Sequence, residues 1–243
     1  MDAKQCEALD GGMTKNQCKI SWGYLRVYTL SMSKHPLLIF PLKSEAYTAS
    51  WLAMRAFTEQ RSASTPDELW FIEHPPVFTQ GQAGKAEHIL APGNIPIVQS
   101  DRGGQVTYHG PGQLLAYLMM NLKSLNLTVR DMVCALQRAV IELLKEYEIN
   151  GEILEGAPGV YIKGAKIAAM GLRVKRGYTY HGLSLNIDMD LEPFSRINPC
   201  GYQNLRVTQL KDWGGPTDLQ MVSLHLSRHL QEQLGYTEAL HNR

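Results

Sequence analysis

The chain has 243 residues, enough for one large domain or one domain with a small appendage. Its formal net charge is +1, with 44% hydrophobic and 19% charged residues, so no bulk field favours nucleic acid or a membrane surface. No apolar run is long enough to span a bilayer, and MDAKQCEALDGG lacks the basic start and apolar core of a secretory signal.

Residues 1–35 are irregular, with a Gly-Gly pair and little periodicity, and read as a loosely attached extension. Periodic structure begins soon after Met32, which can serve as an alternative start, so residues 36–243 are expected to form one domain. Tyr47, Trp51, Met54 and Phe57, spaced by four and three, predict an amphipathic helix over 46–60. ELWFIEH (68–74) reads as a buried strand, VFTQ (77–80) follows Pro75-Pro76, and IPIVQ (95–99) predicts another strand. QVTYH and LLAYLMMNL flank the glycine-rich turns of RGGQVTYHGPGQ (102–113).

Thr128 opens a long helix with Val133, Leu136, Val140, Leu143 and Tyr147 on one stripe. GVYIK (159–163) and KIAAMGLRV (166–174), separated by Gly164-Ala165, predict a hairpin. YTYHGLSLNID (178–188) continues the sheet, with Leu183, Leu185 and Ile187 on one face. A last helix is expected to be capped by Thr217, with Gln220 three residues on, and stopped by Gly235. The pattern predicts an α/β (α+β) fold.

The glycine block invites a nucleotide-binding reading, but GPG leads into a strand-like run and no GK[ST] follows. Two tight turns at strand ends are the plain alternative. Against it, Arg102, Gln105, His109 and Gln113 crowd polar groups beside backbone that a ligand can approach closely. A lone histidine is more often structural than catalytic, and no His, Asp or Cys spacing makes His109 a metal ligand, so it is expected as a polar pocket wall.

Cys6, Cys18, Cys134 and Cys200 are scattered, without disulfide or metal spacing, which suits the cytoplasm. Cys134 fits the small buried hydrophobe of a helix. Cys200 sits in RINPCGY (196–202), a turn-like context from which a side chain can project into a cleft. Lys166 opens an apolar strand, and a lysine ammonium near a thiol favours the nucleophilic thiolate. A lysine at a strand end with its head in water is the alternative.

Together these segments resemble the lipoyl(octanoyl) transferases, the octanoyl-[acyl carrier protein]:protein N-octanoyltransferases. The resemblance rests on RGGQVTYHGPGQ with Tyr117 and Asn121, on EHPPVFTQGQAGKAEHIL (73–90), and on APGVYI, KIAAMGLRV, HGLSLNIDMDL and FSRINPCGY. It covers most of residues 38–235 and implies the mixed β-sheet flanked by helices of the biotin/lipoate–protein ligase catalytic domain. It implies that Cys200 carries the acyl group as a thioester and that Lys166 lowers the pKa of that thiol. It places substrate contacts at Arg102, Gly103, Gly104, Gln105, Val106, Thr107, Tyr108 and His109. Further contacts fall at Ala169, Met170 and Gly171, and at Gly182, Leu183 and Ser184.

The implied partners are octanoyl-acyl carrier protein, the lipoyl domains of 2-oxoacid dehydrogenase complexes and the H protein of glycine cleavage. No cofactor or metal is implied, because thioester to amide is downhill. An ATP-dependent lipoate–protein ligase on the same fold and a non-catalytic acyl-carrier or lipoyl-domain binding module are the rival readings. A cysteine hydrolase lacks a Cys-His-Asn pattern. Arg173, Lys175 and Arg176 form the densest basic run and are an expected docking patch for acidic carriers, with a solvated hairpin tip as the alternative.

Overall fold

The structure is a computed structural model that describes residues 36–199, 205–237 and 239–241. The expected irregular extension 1–35 and Cys200 lie outside the described residues.

In chain order the regular elements are β1 (Leu37–Ser44), α1 (Tyr47–Gln60), β2 (Asp67–Glu73), β3 (Val77–Gln80), β4 (Ile97–Gln99), β5 (Val106–His109) and β6 (Gln113–Met119). After them come α2 (Val129–Glu146), β7 (Glu152–Leu154), β8 (Ala157–Ile162), β9 (Ala165–Lys175), β10 (Tyr178–Asn186), α3 (Leu219–Leu234) and β11 (Ala239–His241). Among the described residues the strands form two sheets. The larger has the order β11-β1-β2-β6-β10-β9-β8-β7 and the smaller β4-β3-β5. β1 runs parallel to β2 and β11, while the pairs from β2 to β7 are antiparallel, so the large sheet is mixed.

Both faces of the large sheet are covered. Leu69 and Phe71 of β2, Leu114, Ala116 and Leu118 of β6, and Leu183 and Leu185 of β10 point into one core, with Ile187 just beyond β10. That core is closed by α2 and α3 through Met132, Leu136, Val140 and Leu143, and through Val222, Leu226 and Leu230. Ile72, Leu115, Tyr117, Met119 and Tyr180 point the other way, onto Met54 of α1. This is why β6 shows no alternation of burial: all seven residues are buried, and a strand covered on both faces reads as a continuous apolar run.

Local signals explain the element ends. Thr128 caps α2 as expected, its hydroxyl accepting from Asp131 N (3.2 Å) while the Asp131 carboxylate accepts from Thr128 N (3.0 Å). α3 is capped by Asp218 rather than Thr217, its carboxylate accepting from Gln220 N (2.8 Å) and Met221 N (3.2 Å). An Asp one residue later meets the first free N–H groups directly, and its charge suits the helix N-terminus. Gly235 ends α3 with φ 77°.

The β8–β9 hairpin forms as expected, but its turn is Lys163-Gly164, both with positive φ, rather than Gly164-Ala165. IPIVQ contributes only Ile97–Gln99, and both it and QVTYH belong to the small sheet. On α1 the buried stripe is Tyr47, Ser50, Met54 and Thr58, while Trp51 and Phe57 flank it. No helix among the described residues is long and apolar enough to cross a membrane.

A buried ion pair ties the edge of this architecture together. Arg61 Nη2 lies 2.5 Å from Asp67 Oδ1, with 0% and 3% of the two side chains exposed. Asp67 also accepts from Asn121 N (2.8 Å) and Tyr236 OH (2.5 Å), and Arg61 Nη1 donates to Met119 O (2.7 Å). Asp67→Ala leaves the guanidinium without its counter-ion and removes the carboxylate that accepts from Asn121 N and Tyr236 OH in a dry site. The expected loss is about 3–5 kcal/mol of unfolding free energy, read from urea denaturation. A loss under about 1 kcal/mol would show that water replaces the carboxylate.

Candidate active site

The glycine-rich block is held as a loop over β9. Arg102 is buried and works as its brace: Nε donates to Thr79 Oγ1 (3.0 Å), Nη1 to Gly103 O (2.9 Å), and Nη2 to Thr79 O (2.5 Å) and Gln105 O (2.6 Å). Gly103 N donates to Leu172 O (3.0 Å), which pins the loop to the strand. A Cβ on Gly103 would come within 2.9 Å of that same carbonyl, so glycine here serves a backbone-to-backbone approach.

Between this loop and the sheet lies a cavity of about 560 Å³, part of it open to solvent. Most residues expected at the site line it. The loop side carries Arg102, Gly103, Gly104, Gln105, Val106 and Thr107, with His109 deeper in. The sheet side carries Lys166, Ala169, Met170 and Gly171 of β9, and Gly182, Leu183 and Ser184 of β10. Tyr108 is the exception. Its side chain packs against Phe78 and Phe194, with ring centroids 5.5 and 5.6 Å away, because it points to the other side of β5.

Five further residues complete the wall: Tyr47, Leu115, Tyr117, Pro158 and His181. Pro158 and Gly104 are exposed and mark the mouth, whereas Tyr47, Tyr117, His109 and His181 are all buried and mark a blind end. The rings at that end brace one another: Tyr47 stacks on His109 at 5.8 Å, and Tyr117 meets His181 edge-on at 6.2 Å.

These groups are held uncharged. Burial pushes the His109 imidazole well below its ordinary value and the Tyr117 phenol well above its own. His109 Nδ1–H donates to Gln113 Oε1 (2.6 Å), since the Gln113 amide nitrogen is engaged with Asn186 Oδ1 (2.8 Å). His74 is held neutral in the same way: Nδ1–H donates to Glu45 O (2.6 Å) and Nε2 accepts from Tyr117 OH (2.6 Å).

His181 has an unusual backbone. Its φ is 60°, left-handed within a strand, which places His181 and Tyr180 on the same face. Both donate to Asp101, His181 Nε2–H at 3.0 Å and Tyr180 OH at 2.5 Å, and Trp51 Nε1–H adds a third bond at 2.8 Å. Burial raises the Asp101 pKa, but these donors outweigh it and hold the carboxylate well below its usual range. For His181 burial wins over the neighbouring carboxylate, so the imidazole titrates below its ordinary value and is neutral at pH 7.

Lys166 stands near the mouth and is buried. Nζ donates to Pro158 O (3.1 Å) and sits 5.2 Å from the Tyr161 ring centroid. Gly159 makes this possible. Its φ is 148°, and a Cβ there would lie 2.8 Å from Lys166 Cε. The backbone of Lys166 accepts Thr208 N (3.0 Å) and donates to Arg206 O (2.8 Å). A smaller adjoining cavity is lined by Lys166, Thr107, Ala169, Ser184, Pro199 and Val207 among others. Both flanks of the undescribed stretch 200–204 therefore lie at Lys166.

The basic run at the β9–β10 turn is engaged elsewhere. Lys175 pairs with Glu59 (2.7 Å), Arg176 Nη2 donates to Thr58 O (2.9 Å) and Glu59 O (2.7 Å), and Arg173 donates to Gln82 (2.6 Å). Arg176 thus satisfies carbonyls left over at the C-terminus of α1. The turn lies ten residues beyond Lys166 along β9, away from the mouth.

Sequence reasoning passed over Tyr47, Pro158 and His181. Tyr47 carried a helical-stripe signal, but nothing in its spacing pointed to a cavity. His181 followed the alternation of a strand, and only its left-handed backbone turns it inward.

The fold is that of the lipoate and biotin protein ligases. The chain superposes with a TM-score of 0.70 on a lipoate-protein ligase A bound with ATP, at 15% identity, covering 86% of this chain and 90% of that one. A putative lipoate protein ligase from T. acidophilum with bound lipoic acid gives 0.70 at 16% identity, covering 86% and 89%. A biotin protein ligase from Aquifex aeolicus gives 0.52 at 16% identity, covering 82% and 70%. Residues 46–231 match the model of the lipoyl protein ligase A/B catalytic domain. An octanoyltransferase of Stutzerimonas stutzeri is 54% identical over 207 residues, covering 85% of this chain and 94% of its own. One of Vibrio vulnificus is 52% identical over 205 residues, covering 84% and 94%. The chain belongs to the octanoyltransferase family, within the lipoyl protein ligase A/B catalytic domains, and is an acyltransferase.

Proposed function

We propose that the chain takes an octanoyl group from octanoyl-acyl carrier protein onto Cys200 and passes it to a lysine of a lipoyl domain. The observation that carries this reading is a blind slot with uncharged rings at its closed end and Lys166 at its mouth, with chain on both sides of the Cys200 segment anchored there. The Cys200 thiolate attacks the donor thioester, forming a new C–S bond as the carrier thiol leaves. The acceptor amine then attacks the acyl-enzyme, an amide bond forms, and the Cys200 sulfur leaves as thiolate. Lys166 stabilises the thiolate as a cation and exchanges the protons of both halves. The residues implied as substrate contacts, Arg102 to Thr107, His109, Ala169 to Gly171 and Gly182 to Ser184, wall the acyl slot.

This reading is favoured over ATP-dependent ligation because relatives above 50% identity are octanoyltransferases, whereas the ligases share the fold at 15–16%. The test is mass spectrometry after incubation with octanoyl-acyl carrier protein. A covalent octanoyl group on Cys200 without ATP supports it, and an ATP requirement refutes it. The acceptors proposed are the lipoyl domains of 2-oxoacid dehydrogenase complexes and the glycine cleavage H protein, in the cytoplasm.

Residues 36–243 are proposed to carry the activity as one catalytic domain. A chain starting at Met32 should express, remain monodisperse and transfer octanoyl groups at a rate within about twofold of the full chain, because both the periodic pattern and the family match begin after Met32. Aggregation or inactivity of that chain would assign residues 1–31 to the domain.

A further inference from the structure

The slot is closed at a defined depth, and the group that closes it is fixed unusually firmly. His181 stands at the blind end opposite Leu172, in the β9–β10 register. Asp101 holds its Nε2, the Tyr180 ring stacks on it at 5.0 Å, and the left-handed backbone turns the ring toward the cavity. Tyr117 and His109, themselves hydrogen-bonded, stand beside it. None of these rings is charged, so hydrocarbon meets no ion at the end of the slot, although His181 Nδ1 is buried with no hydrogen-bond partner among the described residues; the ring's position is set by the polar bond made at Nε2.

Strand register gives the depth. Lys166 Nζ reaches Pro158 O, two residues before Val160, and Val160 faces Ala168. A lysine stem spans about two residues of strand, so Nζ lies level with Ala168 at the furthest. The His181 backbone is level with Leu172, at least four residues or about 13 Å further along, and its ring turns from there into the slot. An extended eight-carbon acyl chain covers about three residues of strand, which fits between a carbonyl held near Nζ and that inward-turned ring. Ala169 and Ser184 line the path between with little side-chain bulk, while Gly171 leaves room for Gly103 O and the Arg102 side chain above it.

We propose that His181, held by Asp101, is the end wall that sets acyl-chain length, so that the slot accepts eight carbons and excludes longer straight chains. The inference rests on the Cys200 acyl-enzyme reading. His181 acts by packing against the terminal methyl and takes no part in the bond changes. Its pinned geometry makes the limit sharp, since a wall that cannot turn aside must be met by distorting the chain.

The test compares acylation by octanoyl-, decanoyl- and dodecanoyl-acyl carrier proteins, read as kcat/KM and by intact mass. The full chain should disfavour decanoyl by about 10-fold or more, as discrimination of methylenes in an apolar pocket allows. His181→Gly suits the left-handed backbone and opens the end, so the decanoyl-to-octanoyl ratio should rise about 10-fold or more, with the pH profile of acylation unmoved. His181→Asn, which tolerates the same backbone and keeps part of the side-chain volume but is too short for the Asp101 bond, should give a smaller rise in the same direction and guards against a folding defect in the glycine variant. Octanoylation of Cys200 with an unchanged ratio in both variants would overturn the end-wall assignment alone. Absence of any acyl-enzyme in the unsubstituted chain would overturn both it and the reading beneath it.

Discussion

Cys200→Ser is expected to abolish the octanoyl-enzyme and to lower octanoyl transfer by on the order of 10³-fold or more. A serine hydroxyl lacks the thiol's accessible anion near neutral pH, and a nearby ammonium stabilises a thiolate without being a strong base. Cys134→Ser supplies the control. Cys134 lies on α2, buried against the helical core, so its loss should change stability slightly and leave acylation intact. Intact mass after exposure to octanoyl-acyl carrier protein separates the two, since the added octanoyl mass should vanish in the first variant and persist in the second. Turnover by a folded Cys200→Ser chain, with loss in Cys134→Ser, would move the nucleophile.

Lys166→Met should leave the fold intact and slow both half-reactions by roughly 10²–10⁴-fold, the range of a positioned proton-transfer group. Methionine reproduces the length of the buried stem beside Tyr161 but removes the cation. The thiol should then titrate at higher pH, and iodoacetamide labelling of Cys200 across pH would trace that movement. The direction follows from charge: without the ammonium the thiolate loses its stabilising partner, so reactivity present at neutral pH appears only at alkaline pH. An unchanged labelling profile would remove Lys166 from the activation of Cys200 and restrict it to holding Pro158 and the mouth.

The same two residues show how far a sequence reaches. Lys166 and Cys200 stand out as candidates because their segments, KIAAMGLRV and RINPCGY, carry specific residue types in a specific order, and a resemblance can be read from order alone; their roles belong to the proposed function. The α2 cap, the β8–β9 hairpin and the apolar face of β10 were equally legible, because a capping box, a glycine turn and a period of two are local chemistry. Three strands were not, β1, β7 (Glu152–Leu154) and β11. β1 and β11, Leu37–Ser44 and Ala239–His241, pair with each other across almost the whole chain, and such a partner leaves no mark on neighbouring residues. The split into two sheets was hidden for the same reason, since QVTYH and VFTQ read as strands without saying which sheet they join.

The cavity itself was decided by tertiary structure. The block RGGQVTYHGPGQ, with its concentration of glycine and polar residues, pointed to a site but could not give that site a depth or an end. Those come from Arg102 fastening the loop, Gly103 meeting Leu172 O, and the His181 ring turned inward by one left-handed residue. The basic run at Arg173, Lys175 and Arg176 kept its charge in either reading. Only the approach of α1 showed that two of its members tie the hairpin to that helix. The sequence by itself determined which chemical groups are available and the local elements that carry them. Tertiary structure determined which groups meet, because contacts between residues distant along the chain depend on packing both faces of one sheet at once, and no periodicity in a single segment records that.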